Sequence, residues 1–148
     1  MLGQHQLGTS TIVSRGSLTS PTPDTLKAAL FLTSATINAA TTVYAATGEV
    51  SGTGYTAGGV TVTNATAPTS TNSSATAGVA FFTPSASIVY TTVTLTTAFD
   101  TMLLYNFTQS LKAISVHTFG SQTITAGTFT LTMPANTTST ALLRLATT

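Results

Sequence analysis

The sequence predicts an all-β domain, a sandwich or a barrel, on three observations. Apolar and polar residues alternate with a period of two in at least six segments. Turn-forming residues divide these segments into roughly eight short strands. Threonine supplies about a quarter of the chain, while Glu, Lys, Gln and Arg, the usual helix formers, are scarce.

Residues 1–23 read as an extended N-terminal arm. They are rich in Gly, Ser, Thr and Gln, and Pro21 and Pro23 in "SPTPD" separate them from the first strand. The remainder, residues 24–148, is read as one domain, long enough to bury a core without staples. "TLKAALFLT" (25–33) sets Leu26, Ala28, Leu30 and Leu32 on one face of a half-buried strand. "SATINAATTVYAAT" (34–47) is expected to be a loop with one helical turn near residues 38–46.

"GVTVTNATA" (59–67) alternates again, and "PTSTNSSATAG" (68–78) reads as a mobile loop. "VAFFT" and "SIVYTTVTLTT" carry the β-branched and aromatic residues of strands. "TMLLYN" (101–106), "LKAISVHTF" (111–119), "QTITAGTFTLTMP" (122–134) and "ALLRLA" (141–146) complete the set, with "NFTQS" and "GSQ" as turns between them. The strand aromatics Phe31, Phe81, Phe82, Tyr90, Tyr105, Phe119 and Phe129 are expected to pack a core.

Charged residues are 5% of the chain, against about 25% in average soluble proteins. The formal net charge of +1 gives no field that would steer the protein to nucleic acid, and the four basic residues are scattered. Such a surface suits a protein largely covered by neighbours. Cysteine is absent, which removes disulfides and thiolate metal sites. Apolar runs such as "KAALFL" fall far short of the ~20 residues that span a bilayer, and the N-terminus lacks the pattern of a signal peptide. Neither a membrane nor a nucleic-acid partner is expected.

"GEVSGTGYTAGG" (48–59) is the one stretch that looks like a phosphate cradle. A Walker loop needs a Lys-Ser/Thr pair after its glycines, and a dinucleotide fingerprint needs a following helix and a later acid. Here a strand-like "VTVTNATA" follows and residues 60–90 hold no acid, so the segment reads as a folded connection. Glu49 is expected to accept backbone N–H groups or to pair with Lys27 or Lys112. Asp24, Glu49 and Asp100 are too scattered for a carboxylate pair, and Asp100 reads as a turn or strand-start residue.

His5 and His117 are one ligand short of a three-ligand zinc site, and His117 reads as solvent-facing or at an interface. No G-x-S-x-G elbow is present. The sequence therefore predicts no catalytic residue, no metal site, no cofactor and no enzyme activity. The sequons at Asn64, Asn72, Asn106 and Asn136 arise by chance in so Thr-rich a chain.

"DTLKAALFLTSATINAATTVYAATGEVSGTGYTAGGVTVTNAT", "MLLYN", "KAISVHTFGSQTITAGTFTLTMP" and "ALLRLA" resemble a group of small structural proteins of tailed bacteriophages. The resemblance spans about residues 24–146, with "EVSGTGYTAGG" and "HTFGSQTITAGTFTLTMP" its most specific pieces; the arm departs from it. It implies a virion protein similar to capsid cement or decoration proteins. These are commonly single jelly-roll-like β-sandwiches that bind the major capsid protein shell as dimers or trimers.

The implied partners are the major capsid protein or other virion proteins and further copies of the chain. The implied location is the capsid surface, after synthesis in the host cytoplasm. A tail, fibre or head–tail connector component, or a displayed receptor- or carbohydrate-binding module, is the alternative. On the cement reading the arm lies across a neighbour, with Ile12 and Val13 as apolar anchors and Arg15 as its charged contact.

Overall fold

A computed structural model describes residues 24–63, 69–70 and 79–146. Their regular structure is entirely β, arranged as two antiparallel sheets. The strands are β1 (Leu26–Leu32), β2 (Val60–Val62), β3 (Thr69–Ser70), β4 (Val79–Phe82), β5 (Ile88–Asn106), β6 (Lys112–Leu131) and β7 (Leu143–Ala146). The chain folds as two compact units, one formed by Thr25–Val62 and Ile88–Leu131, the other including Thr63–Ser87 and Thr132–Thr148. The arm, and with it Ile12, Val13 and Arg15, lies outside the described residues.

The first unit holds a four-stranded sheet in the order β2-β1-β5-β6. β1 is central. It pairs with β5 from Leu26↔Asn106 to Leu32↔Phe99, with a bulge between Phe31 and Leu32, and with β2 along Leu26–Ala28. The expectation of a half-buried strand is corrected here. Leu26, Ala28, Ala29, Leu30 and Phe31 are all fully buried, so both faces of β1 are covered. On one face Ala29 and Phe31 pack with Leu103 and Tyr105, roofed by Ile37, Tyr44, Leu111 and Val116. A strand covered on both sides carries a nearly continuous apolar run, which "AALFL" is.

β5 and β6 form one long hairpin, which is the main departure from the sequence reading. "GSQ" was expected to turn the chain, and Asp100 to open a strand. Both lie inside strands. Phe99 pairs with Gln122 and Thr101 with Thr118, so Asp100 and residues 119–121 fill an irregular step in the ladder. Bulges use the same Gly and polar residues as turns, and local propensity does not separate the two. The true turn is at residues 107–111, where Gln109 N–H bonds the Asn106 side chain and Ser110 and Leu111 adopt positive φ.

Residues 34–47 contain no helix. A single turn at Asn38 stands in the place of the expected helical one, with Ala40 N–H donating to Asn38 Oδ1 (2.8 Å) and Thr41 N–H to Asn38 O (2.9 Å). Asn and Thr side chains offer the backbone such local partners in competition with a helix.

Irregular segments close the edges of this sheet. Val43 bridges Lys112 at the start of β6, Glu49 bridges Phe31 beside β1, and Thr53 bridges Thr94 beside β5.

In the second unit β3, β4 and β7 form a three-stranded sheet with β4 in the middle. β3 falls within the segment read as a loop at residues 68–78; the rest of that segment, and residues 64–67, lie outside the described residues. Phe82 and Thr83 are buried, and Thr83 Oγ1 accepts the Leu142 N–H. The approach to β7 is tied by hydroxyls: Thr140 Oγ1 donates to Ala135 O, and Arg144 closes the turn with a bond to Thr138 O (2.7 Å).

Candidate functional site

The glycine-rich segment 48–59 gathers the chemistry of the first unit. Four of its glycines, at 48, 54, 58 and 59, have positive φ, which glycine alone adopts without strain. At Gly59 the need is absolute, because a Cβ would lie 1.7 Å from Ala28 O. Gly52 has an ordinary φ, but its missing side chain lets the backbone approach Thr94 O, where a Cβ would lie at 2.0 Å. The segment runs along β1 and then reaches β5 at Thr94, so its glycines serve close packing on the sheet.

Glu49 is the centre of this arrangement. Tyr44 donates its hydroxyl to Glu49 Oε2 (2.6 Å), while Tyr55 OH (2.7 Å) and Gly58 N–H (2.8 Å) donate to Oε1. Tyr55 OH also accepts the Leu30 N–H (3.0 Å), which ties the group to β1. The remaining two tyrosines of the chain join in: Tyr105 donates to Gly58 O (2.8 Å) and Tyr90 to Ala28 O (2.7 Å). Tyr44 stacks on Tyr105 with ring centroids 4.5 Å apart, and Tyr55 on Tyr90 at 5.9 Å.

The expectation that Glu49 accepts backbone N–H groups therefore holds at Gly58. Its other partners are phenols, while Lys27 sits over the Phe107 ring (4.7 Å).

Burial, with Glu49 adding to it, pushes Tyr105 up to about 12 and raises Tyr44, Tyr55 and Tyr90 further above the usual phenol range. The four phenols are thus neutral donors. Both oxygens of Glu49 already accept hydrogen bonds from the protein, so the cluster acts as a lock on the glycine segment. Tyr44 and Tyr55 flank Glu49 in the sequence, whereas nothing in the sequence near Glu49 points to Tyr90 and Tyr105. Their approach depends on strand pairing across the sheet, which no local spacing reveals.

Asp100 and His117 make their hydrogen bonds away from Glu49. Asp24 is buried, and Asp100 accepts the Thr101 hydroxyl (2.8 Å) within β5. Among the described residues no three of His, Asp and Glu stand together as a metal site would require. His117 is half-buried rather than simply solvent-facing, and burial lowers its pKa. Its Nε2 lies 2.9 Å from Ser115 Oγ. That pair was missed, although i and i+2 on a strand share a face. It is the contact a nucleophile and base make, but Ser115 is the sole side-chain hydrogen-bond partner of His117 among the described residues, so no third group orients the ring.

A shallow hollow in the loop before Glu49 is lined by Ser34, Thr36, Asn38, Thr41 and Thr47 with Ile37. It offers hydroxyls and an amide without charge. No helix among the described residues is long and apolar enough to cross a membrane. Comparison with protein-family models, with curated proteins and with solved structures finds no match.

Proposed function

We propose that the chain is a non-enzymatic structural protein of a tailed-phage particle, a cement or decoration protein that binds the capsid shell. The observation that carries the reading is a hydroxyl-rich, almost uncharged composition, 5% charged residues at a net charge of +1, on an all-β framework. The segmental likeness to small phage structural proteins supplies the particle. Hydroxyls bond to neighbours without the desolvation that charges would suffer, and many weak repeated contacts give long residence on a shell. The local chemistry supports the same reading, because Glu49 and the four tyrosines are consumed in holding the fold.

The finer fold reading, a single jelly-roll-like β-sandwich with an extended arm, belongs to this proposal and draws on the two antiparallel sheets. So does the role of Ile12, Val13 and Arg15 as arm contacts to a neighbour.

The test is stoichiometry. Quantitative mass spectrometry of purified particles of the phage that encodes the chain should find it in fixed proportion to the major capsid protein. A copy number matching a single portal or tail tip would replace cement with a connector or tail role, and absence from the particle would remove the virion reading.

A further inference from the structure

The hydrogen bonds that hold the glycine segment are also arranged for a reaction. All four tyrosines of the chain lie in one network, and the sequence has no tryptophan or cysteine, so these phenols are its readiest one-electron donors. A neutral phenol that loses an electron becomes a strong acid, and its proton needs an acceptor already within about 2.6–3.2 Å. Without one, a positive charge would remain on a ring inside the protein, at a high desolvation cost.

The acceptors separate the four tyrosines. Tyr90 and Tyr105 donate to the backbone carbonyls of Ala28 and Gly58, which do not hold a proton at neutral pH. Tyr44 and Tyr55 donate to the carboxylate of Glu49, at 2.6 and 2.7 Å. Tyr55 also accepts the Leu30 N–H at 3.0 Å, which draws electron density from its oxygen, and its ring packs on the buried Tyr90. Tyr44 is half-exposed, and its ring stacks on Tyr105 with the centroids 4.5 Å apart. Burial and Glu49 keep the Tyr44 phenol protonated at neutral pH, so an electron and a proton have to leave it together.

We propose that Tyr44 is a site of oxidation by outer-sphere one-electron oxidants, such as small oxidising radicals, with Glu49 as its proton acceptor. The oxidant takes one electron from the Tyr44 phenol. The O–H bond breaks as the electron leaves, and the proton moves along the hydrogen bond to Glu49 Oε2. The products are a neutral tyrosyl radical, a Glu49 carboxylic acid and the oxidant reduced by one electron. No charge is left on the ring, and Oε1 keeps its bonds from Tyr55 and Gly58. The stacked Tyr105 ring shares the electron deficiency of the radical. The cluster is thus a sink that takes an oxidising equivalent from solvent and holds it within the fold. The inference does not depend on the virion reading.

The probe oxidant is tris(bipyridine)ruthenium(III), generated by a laser flash with a sacrificial quencher, and the reading is the growth of tyrosyl absorbance. At neutral pH the full-length protein should be oxidised at a rate that does not change with phosphate concentration. Tyr44→Phe should slow the reaction by at least about tenfold, because the remaining phenols are packed deeper or donate to carbonyls. Glu49→Gln should slow it by at least about tenfold and make the rate rise with phosphate, which then takes the proton. Both variants are checked for native far-ultraviolet circular dichroism. A merely loosened fold would expose Tyr44 further and quicken its oxidation, so slowing separates proton acceptance from a structural role. An unchanged or faster rate in either variant overturns the inference, as does a wild-type rate that climbs with phosphate.

Discussion

Replacing Glu49 tests the lock on the glycine segment directly. In Glu49→Leu three donors lose their acceptor: Tyr44 OH, Tyr55 OH and Gly58 N–H. Tyr44 is half-exposed and can turn to water, whereas Gly58 is buried and Tyr55 is held by its stack on Tyr90. Two donors left without partners, at about 1–3 kcal/mol each, give an expected loss of about 2–6 kcal/mol. Glu49→Gln keeps an oxygen for Tyr55 and Gly58, and Tyr44 OH can rotate to accept from the amide, so the loss there is about 1–2 kcal/mol.

The chain has no tryptophan and all four tyrosines belong to this network. Near-ultraviolet circular dichroism during urea unfolding therefore reads the site itself, and the midpoints give the ranking wild type, Gln, Leu. A Leu variant within about 0.5 kcal/mol of wild type would refute the reasoning, since that is the range of an inert surface change.

Three further outcomes are expected. Gly59→Ala, whose Cβ would meet Ala28 O at 1.7 Å at φ +72, should unfold the first unit or cost it more than about 3 kcal/mol, while Gly120→Ala, with nothing within 4 Å, should shift the midpoint by less than about 0.5 kcal/mol in the same assay. Tyrosinate absorbance in a pH titration should rise with a midpoint near about 12 for Tyr105 and later still for the other three, and Glu49→Gln should move the transitions toward the ordinary value of 10.0. Burial lowers the His117 pKa below its ordinary 6.5, so the unfolded chain takes up the proton first; stability is full above pH 6.5 and falls as pH drops through the folded value, and His117→Gln should flatten that fall in thermal melts at successive pH.

Strand identity was legible wherever composition is extreme. Patterning located β1, β4 and β7 to within a few residues and found both halves of β5 and of β6 as separate strands, because β-branched and aromatic side chains fit a pleated surface and little else. What stayed hidden depends on partners. Asp100 and Gly120 look like chain reversals in one dimension, and become a bulge once β5 and β6 lie side by side. The burial of both faces of β1 was equally out of reach, because Lys27 and the flanking threonines imitate a half-wet strand. The glycine segment was correctly read as a connection. Its dependence on Tyr90 and Tyr105 could not be, because those hydroxyls arrive from β5, far along the chain.

The long hairpin has a kinetic consequence. β5 and β6 are neighbours in sequence, so their first pairs at Asn106↔Lys112 close a short loop, and hairpins of this kind form on the order of 1–10 μs. β1 must then find β5 across about half of the chain, bringing Leu26 to Asn106 and Leu32 to Phe99. Closing so long a loop loses entropy before any contact offsets it, and such distant pairings slow folding. The hairpin is thus the template, and the docking of β1 with its glycine segment is the slow step. Until that step is complete the edge of β5 that receives β1 stands open, and a newly made chain is at its most adhesive.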